Sequence, residues 1–490
     1  MSLFNPDKWV HYLGFLSRKP SDPAALHYPR PSAAQAGALA SQNPIDANLS
    51  SISQELPLAR ILQICLVQIS TAIAFVLIHS TLNRVMIVEF GVQAWLVGVL
   101  IGFHNLLAFV RPMIGYYSDS HLLFGYRRTP NILVGNLLVT TGVIGSIYGA
   151  VWMGQSFYGG LSVLILAAML YGIGINIVGT MFYAMLADSV GEKHKAKAVT
   201  AGWFVLIMGT IVMSAFVGKY LENFSEERLI SLFWMGGAAS ILFTWLAIFK
   251  AEKRFASPEE IVRSGSKPLG LSNALKELFQ NKPTYQFFLF MFVTVVAIQG
   301  QDVILEPFGA HIFGMSVSET TKLTQIWGAG TMVGIIALGL FFVNKLGKKR
   351  TAYLGCILSA VGFGVISASA WFDPAMFKTG VFMLGLGNGA LTIGSLTLMV
   401  DMTTQRNAGL FMGLWGLAQA IANFVANAFG GAIRDISLYL TNSQYVGYTT
   451  AFTIEIIGLF AAIWILKGIS VQEFKKSSSD VLLETGNAAD

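Results

Sequence analysis

Histidine side chains inside long apolar runs are the first residues of this sequence that could do chemistry. His104 stands in the middle of one run, and His79 stands at the end of the run before it. Ionisable groups are costly in an apolar environment, so their presence there indicates a function. A neutral imidazole nitrogen can coordinate the magnesium or iron of a macrocycle, but it can also bond to a neighbouring helix. The sequence leaves both interpretations of His104 open.

Acidic residues near the same apolar runs are candidates for carrying protons. Asp302 and Glu306 are four residues apart, so they share one face of a helix, and Pro307 is expected to end that helix. They could exchange protons, or they could mark a helix end in water. The proton-carrier candidates are Glu89, Asp302, Glu306 and Glu455.

The motifs of several enzyme classes are absent from the sequence. It has no Gly-Lys-Ser/Thr phosphate loop, no Cys-x-x-Cys, no His-Glu-x-x-His and no Gly-x-Ser-x-Gly, and its aspartates stand singly. Cys65 and Cys356 fall in separate apolar runs, so each is expected to be a small buried hydrophobe and not a metal ligand or half of a disulfide. We therefore expect a protein that is not an enzyme and holds no metal site of its own.

Twelve apolar runs must position these residues, and eleven of them contain no Asp, Glu, Lys or Arg. Charged residues make up 12% of the 490 residues, against roughly 25% in soluble proteins. About 20 helical residues cross the ~30 Å hydrocarbon core of a bilayer. The sequence therefore predicts an all-α polytopic membrane protein with twelve transmembrane helices, at residues 61–80, 92–110, 131–152, 161–187, 198–218, 229–249, 284–301, 323–344, 351–372, 379–400, 407–433 and 436–466.

A basic turn that occurs twice indicates a duplicated unit. Residues 124–129 read FGYRRT and residues 346–351 read LGKKRT. A doubled helical unit with basic short loops is typical of a transporter-type bundle of two pseudo-symmetric six-helix halves. These cations could pair with span ends of the facing half and close an inner gate, or they could only set the topology. The cytoplasmic gate candidates are Gly115, Asp119, Arg127, Arg128, Lys348, Lys349 and Arg350.

The positions of lysine and arginine predict the orientation and the organisation of the chain. The formal net charge of +6 comes mostly from loops on one side, which the positive-inside rule assigns to the cytoplasm, together with both termini. This distribution explains the charge without a nucleic-acid partner. We expect a cytoplasmic extension at 1–60, a six-helix half at 61–250, a linker at 251–283, a second half at 284–467 and a tail at 468–490.

Segments at the ends of several spans resemble the bacteriochlorophyll delivery branch of the major facilitator superfamily, the PucC-like proteins of photosynthetic bacteria. The resemblance extends over residues 56–467. The loop from Gly115 to Arg128 is similar to the loop between spans two and three of the superfamily, although Ser120 replaces the expected cation. The matching segments are residues 82–91, 109–115, 301–309, 407–416 and 430–435.

The resemblance implies an assembly factor for light-harvesting antennae, which delivers bacteriochlorophyll or chlorophyll as a transient, non-covalent ligand. It implies antenna polypeptides and the reaction-centre complex as partners, and the inner or intracytoplasmic membrane of a phototrophic bacterium as the location. Aromatic and glycine-rich spans suit a water-insoluble chlorin better than a sugar. The candidates for binding pigment or substrate are His79, His104, Arg111, Asn176, Asn388 and Trp415.

Two other functions stay open at this point. One is a proton-coupled transporter of a small amphipathic solute, in which an intramembrane acid carries the proton. The other is a scaffold that binds antenna subunits by helix packing and never touches pigment.

Overall fold

The computed structural model of the protein describes residues 58–190, 195–252, 282–337, 347–401 and 408–469. Within these ranges the regular elements are all helical, and one isolated bridge joins Leu123 to Tyr126. The expected N-terminal extension up to residue 57, most of the expected linker and the tail from residue 470 lie outside the described residues.

The first half begins with a span that is only partly α-helical. It consists of α1 (Leu58–Phe75) and two π-helical segments, Val76–Leu82 and Val85–Glu89. The second span contains α2 (Ala94–Leu106), one 3₁₀ turn (Leu107–Phe109) and α3 (Val110–Ser120). The remaining helices of this half are α4 (Thr129–Met153), α5 (Phe157–Ser189), α6 (Lys195–Tyr220) and α7 (Glu226–Ile248).

The second half begins with a span that is broken at Gly300. Its two parts are α8 (Lys282–Gln299) and α9 (Gln301–Phe313). The next helix starts with a capping box, in which Ser316 and Glu319 satisfy each other's backbone N–H groups. The helices that follow are α10 (Val317–Ile336), α11 (Lys348–Ser369), α12 (Pro374–Asp401), α13 (Ala408–Thr441) and α14 (Gln444–Lys467).

Eleven helical stretches in the described residues are long and apolar enough to cross a membrane. They coincide with the expected runs except for the one at 323–344. The first part of that run lies in α10, and its end lies outside the described ranges. The all-α membrane-spanning architecture is therefore confirmed, while the count of twelve spans stays a prediction.

Pro307 does not end its helix, and the expectation from sequence was wrong on this point. α9 continues past it to Gly314, where a φ of 65° ends the helix. Proline has no N–H to donate to the carbonyl of Val303, four residues earlier. The Asn83 side chain of span one donates to that carbonyl at 3.2 Å and to the carbonyl of Asp302 at 2.9 Å. The acceptor that proline leaves free thus keeps a partner inside the membrane.

Glycines at the centres of spans four and ten lie where helices cross at short distance. A Cβ at Gly174 in α5 would lie 2.6 Å from the carbonyl oxygen of Gly135 in α4. A Cβ at Gly389 in α12 would overlap the carbonyl oxygen of Thr331 in α10. Small residues allow such close backbone approach between membrane helices. Packing of neighbouring helices accounts for both glycines.

The two expected halves meet along two helix pairs and through span one. α2 packs on α13, where a Cβ at Gly98 would overlap the carbonyl oxygen of Asn427. α6 packs on α10, where a Cβ at Gly328 would lie 3.0 Å from Cγ1 of Ile211. Span one reaches the second half through its first π-helical segment, which contacts α9 and α10 and in which Ser80 donates to Glu306 of α9. Polar side chains of both halves lie at and near this contact, and they form the candidate site.

Candidate functional site

Two histidines of the first half lie against each other. The rings of His79, from the first π-helical segment, and His104, from α2, have centroids 5.3 Å apart and planes at 88°. Phe75 stacks on His79 at 4.7 Å, and Tyr171 of α5 meets His104 edge-on at 5.6 Å. His104 therefore faces the interior of its half, inside an aromatic cluster.

The two imidazoles have nitrogen atoms that can still bind a ligand. Nδ1 of His104 lies 2.8 Å from the carbonyl oxygen of Ile101, which can only accept, so we assign the hydrogen to Nδ1. This tautomer leaves a lone pair on Nε2 of His104. His79 is buried, and its Nδ1 has no hydrogen-bond partner among the described residues. The pair can therefore coordinate a metal ion or bond to a polar group of a ligand.

A hydrogen-bond network fixes the backbone of span two beside His104. Asn176 of α5 is buried, and its Nδ2 donates to the carbonyl oxygens of His104 at 2.9 Å and Gly172 at 2.7 Å. Its Oδ1 accepts from Nε of Arg111 at 2.6 Å. The 3₁₀ turn at Leu107–Phe109 interrupts the α-helical bonding of α2, and the amide supplies a partner for a carbonyl there. The structure thus brings together three of the residues that the sequence singled out.

Arg111 also reaches towards the second half. A Cβ at Gly416 in α13 would lie 3.9 Å from Nη1 of Arg111. Trp415, the neighbour of Gly416, is half-buried, and its Nε1 has no hydrogen-bond partner among the described residues. Asn388 of α12 is half-buried, and its carbonyl accepts from the Thr392 hydroxyl at 2.9 Å. No described contact joins Asn388 to the histidine pair.

Glu306 of α9 is a buried carboxyl that bonds to span one of the other half. Its Oε1 accepts from the hydroxyl of Ser80 at 2.6 Å and from that of Thr324 in α10 at 2.7 Å. Its Oε2 has no partner among the described residues. A change in the protonation of Glu306 would therefore act directly on a contact between the halves.

Asp302 lies one turn before Glu306, as their spacing predicts. Its carboxylate accepts from the side chains of Gln301 at 2.6 Å and Gln299 at 3.1 Å. Asp302, Glu306, His79 and Trp327 line a small cavity of ≈40 Å³. A cavity of this size accommodates about three waters, at about one per 10–15 Å³. The acids of α9 and the first histidine thus share one small polar space.

The other two acidic candidates have different surroundings. Glu89, at the end of span one, forms an ion pair with Arg84, and Arg84 also donates to the carbonyl of Met315 at 3.2 Å. This pair joins the end of span one to the turn after α9. Glu455 of α14 is buried beside a different and larger cavity, and neither of its carboxyl oxygens has a partner among the described residues.

The basic turn of the first half is held by Asp188 of the same half and by Glu252, which follows α7 at the start of the expected linker. Arg128 pairs with Asp188 at 3.0 Å and donates to the hydroxyl of Ser118 at 2.6 Å. The carboxylate of Glu252 accepts from the backbone N–H groups of Arg127 at 2.7 Å and Thr129 at 2.8 Å. Glu252 therefore caps the start of α4 and ties it to the end of α7.

The basic turn of the second half is also held by a contact within its own half. The Nζ of Lys349 donates to the carbonyl oxygens of Lys467 at 3.0 Å and Ile469 at 2.8 Å, at the end of α14.

Gly115 and Asp119 are the remaining gate candidates of the first half. A Cβ at Gly115 would lie 3.9 Å from Cγ2 of Thr180 in α5. The side chain of Asp119 lies outside the described ones. These contacts lie within each half, and a latch between the halves stays a prediction.

Several residues of the site escaped the sequence analysis. Ser80 and Thr324 are ordinary polar residues of membrane helices, and only the fold brings them to Glu306. Nothing in the sequence distinguishes Tyr171 and Trp327 from the other aromatic residues of the spans, and Glu252 falls in the expected linker. Among the described residues, no group of three or more His, Cys, Asp or Glu side chains is placed to hold a metal ion. Any metal in the histidine pocket would therefore have to come with its own ligands.

Known proteins of similar fold are membrane transporters. The structure of the nucleoside transporter NupG matches with a TM-score of 0.66 at 13% identity, covering 84% of this chain and 99% of that chain. The D-xylose-proton symporter matches with a TM-score of 0.63 at 16% identity, covering 84% and 98%. The fold is that of the major facilitator superfamily, which confirms the expected bundle type.

The sequence comparisons are more specific. Protein PucC of Rhodobacter capsulatus is 31% identical over 440 residues, which cover 84% of this chain and 92% of that protein. The family model described as PUCC protein matches residues 81–474. This chain belongs to the PucC protein family, as the segments around its spans indicated.

Proposed function

We propose that this chain is an assembly factor for photosynthetic light-harvesting antennae that handles bacteriochlorophyll or chlorophyll inside the membrane. The observation that carries the proposal is the pairing of His79 and His104 in an aromatic cluster, with Nδ1 of His104 bonded to the Ile101 carbonyl and Nδ1 of His79 without a partner among the described residues. A neutral imidazole nitrogen is a suitable ligand for the magnesium of a chlorin. Family membership supports the same assignment. So does a similarity to the bacteriochlorophyll synthase 44.5 kDa chain of Rhodobacter capsulatus, 29% identical over 79% of this chain and 90% of that one.

In this proposal the pigment is cargo and the protein is not an enzyme. His104 binds the magnesium directly or through a water, and Asn176 and Arg111 hold span two in the position that presents the imidazole. The magnesium arrives inside the chlorin with four nitrogen ligands of its own, so the pocket needs to add only one. The binding is transient and non-covalent, and no further cofactor is needed.

The partners follow from the same proposal. Antenna polypeptides and the reaction-centre complex receive the pigment within the bilayer, and no nucleic acid takes part. The chain resides in the inner or intracytoplasmic membrane of a phototrophic bacterium, with both termini in the cytoplasm.

The test is the substitution His104→Phe in a phototrophic host that lacks its own copy of the gene. Phenylalanine keeps the bulk and removes the coordinating nitrogen. We expect the pigment that co-purifies with the protein to fall about tenfold or more, a loss typical of disturbed metal coordination. The assembled antenna should fall with it, measured from the near-infrared absorption of the membranes, while the cells still make pigment.

A matched control is His121→Phe, because His121 is exposed and stacks on Tyr117 outside the site. This variant should keep wild-type pigment and antenna. Normal antenna assembly in the His104→Phe variant would refute the role of His104. Accumulation of a tail-less pigment precursor in a deletion strain would instead identify an enzyme.

A second candidate function is proton-coupled transport of a small amphipathic solute. The bonds of Glu306 to Ser80 and Thr324 favour it, because proton exchange there would act on the contact between the halves. In that case membrane vesicles accumulate the solute, and an uncoupler or the substitution Glu306→Gln abolishes the accumulation.

A further inference from the structure

A cavity on the second half lies between α8, α13 and α14. Its volume is ≈190 Å³, and Glu455 is the only ionisable residue among the described residues of its wall. Ala297 and Gly300 leave space in it, and Phe292 and Phe429 add aromatic rings. An apolar cavity of about 150 Å³ accommodates benzene. This cavity is therefore large enough for one six-membered ring with a few substituents, and too small for a whole chlorin.

Glu455 is the polar group of this cavity. Its exposed fraction is 5%, and neither carboxyl oxygen has a hydrogen-bond partner among the described residues. Asp302, the acid of α9 that acts electrostatically on Glu455, is already bonded to Gln299 and Gln301. Burial of an isolated carboxylate in apolar surroundings costs far more free energy than burial of a neutral carboxyl, so Glu455 is the neutral acid in this cavity. A buried polar group without a protein partner needs a partner from elsewhere, such as a water, an ion or a ligand.

The cavity opens towards lipid. Phe429 and Ile454 belong to its wall and are 52% and 38% exposed. The next turns of α14 continue this exposed apolar face with Ile457, Phe460 and Trp464. An apolar face that is exposed on a membrane helix contacts the bilayer. A ligand therefore enters from the membrane, and the histidine pair of the first half is not involved.

We propose that this cavity binds a six-membered ring that carries a ketone oxygen and an apolar chain, the architecture of an isoprenoid quinone. The hydroxyl of the neutral Glu455 carboxyl donates to the ketone oxygen. The phenylalanine rings contact the faces or edges of the bound ring, and the chain lies along the exposed face of α14. The proposal is independent of any handling of pigment by the first half.

Membrane depth excludes an ordinary phospholipid as the occupant. Glu455 is the twelfth of the 24 residues of α14, so it lies near the middle of the span. The ester oxygens of a phospholipid stay in the interfacial region, about 15 Å from the bilayer centre. A phospholipid would offer only methylene groups to Glu455 and would leave it without a partner. The occupant must therefore be an otherwise apolar molecule that places an oxygen acceptor at the depth of Glu455.

The first experiment uses dicyclohexylcarbodiimide on the full chain in lipid nanodiscs. The carboxyl oxygen of a neutral acid adds to the central carbon of this lipid-soluble reagent, and the acid proton moves to a carbodiimide nitrogen. Acyl transfer to nitrogen then gives a stable acylurea, which peptide mass spectrometry locates. We expect Glu455 to be labelled faster than Glu306, whose Oε1 is hydrogen-bonded to two hydroxyls.

Protection by a ligand is the decisive measurement. Decylubiquinone should slow the labelling of Glu455 in a saturable way, without changing that of Glu306. Decylbenzene has the ring and the chain but no ketone, and it should protect about fivefold more weakly, the effect of losing one neutral hydrogen bond. An absence of labelling at Glu455, equal protection by both compounds, or no protection by either would overturn the proposal. Protection that requires added antenna polypeptides would also overturn it, in favour of a docked helix.

Variants provide a second measurement that does not depend on labelling. Decylubiquinone binding is followed by quenching of tryptophan fluorescence, for which Trp464 lies nine residues after Glu455, about 14 Å along the helix axis. Glu455→Gln keeps a donor and should keep binding, while Glu455→Leu should bind about fivefold more weakly. Val296→Phe fills the cavity and should abolish saturable quenching, whereas Val361→Phe, the same change on the exposed apolar surface of α11 outside the cavity, should not. Equal binding by Val296→Phe and Val361→Phe would refute the site.

Discussion

The first half and the second half bury different polar groups and bond them differently. In the first half, Asn176 joins Arg111 to the backbone beside His104, so nearly every polar group of the network has a partner. Among the described residues of the second half, Glu306 leaves one carboxyl oxygen without a partner and Glu455 leaves two. The comparison teaches that the asparagine network of the first half fixes the backbone beside His104, whereas the two carboxyls of the second half keep oxygens without such bonds.

Replacement of Asn176 should have the largest effect on stability. Asn176→Leu removes two bonds to backbone carbonyls and one to a guanidinium, so the free energy of unfolding should fall by about 3 kcal/mol. Asn388→Leu in the second half is the matched control and should change it by less than about 0.5 kcal/mol. Unfolding in detergent, followed by circular dichroism, measures both. Equal losses would show that the asparagine network does not distinguish the halves.

The two buried glutamates give an intermediate effect and test the comparison within the second half. Glu306→Leu leaves the hydroxyls of Ser80 and Thr324 without their acceptor and should cost about 2 kcal/mol of unfolding free energy. Glu455→Leu removes a carboxyl that has no partner among the described residues, so its cost should be close to zero or reversed in sign. If Glu455→Leu destabilises as much as Glu306→Leu, the carboxyl of Glu455 has a structural partner and is not available to a ligand.

The smallest effect concerns the basic turns of the two halves. Glu252→Gln removes a negative charge from the start of α4 and should cost about 0.5–1 kcal/mol, less at high salt. The corresponding helix of the second half, α11, begins after Gly347 without a side-chain cap. A thermal shift measured at low and high ionic strength tests the difference. A cost that does not change with salt would indicate lost packing instead of lost charge.

The sequence was sufficient for eleven of the predicted spans and for part of the site. Uninterrupted apolar runs located the membrane helices, and the spacing of Asp302 and Glu306 placed both acids on one small cavity. The partners of these residues could not be predicted, because Ser80 and Glu306 are 226 positions apart and meet only in the folded bundle. The failure at Pro307 has the same origin. Its effect on the helix depends on Asn83, a residue of another span.

The π-helical segments of span one have a consequence for how this family can vary. A π turn holds about one residue more than an α turn, so such a segment absorbs an extra residue without turning the side chains that follow it. His79 and Ser80 lie inside the first of these segments, Val76–Leu82. Deleting one residue before them in this segment would restore the α-helix and turn His79 and Ser80 by up to about 100°, away from His104 and Glu306. Natural relatives should therefore conserve the length of this segment more strictly than the identities of its residues.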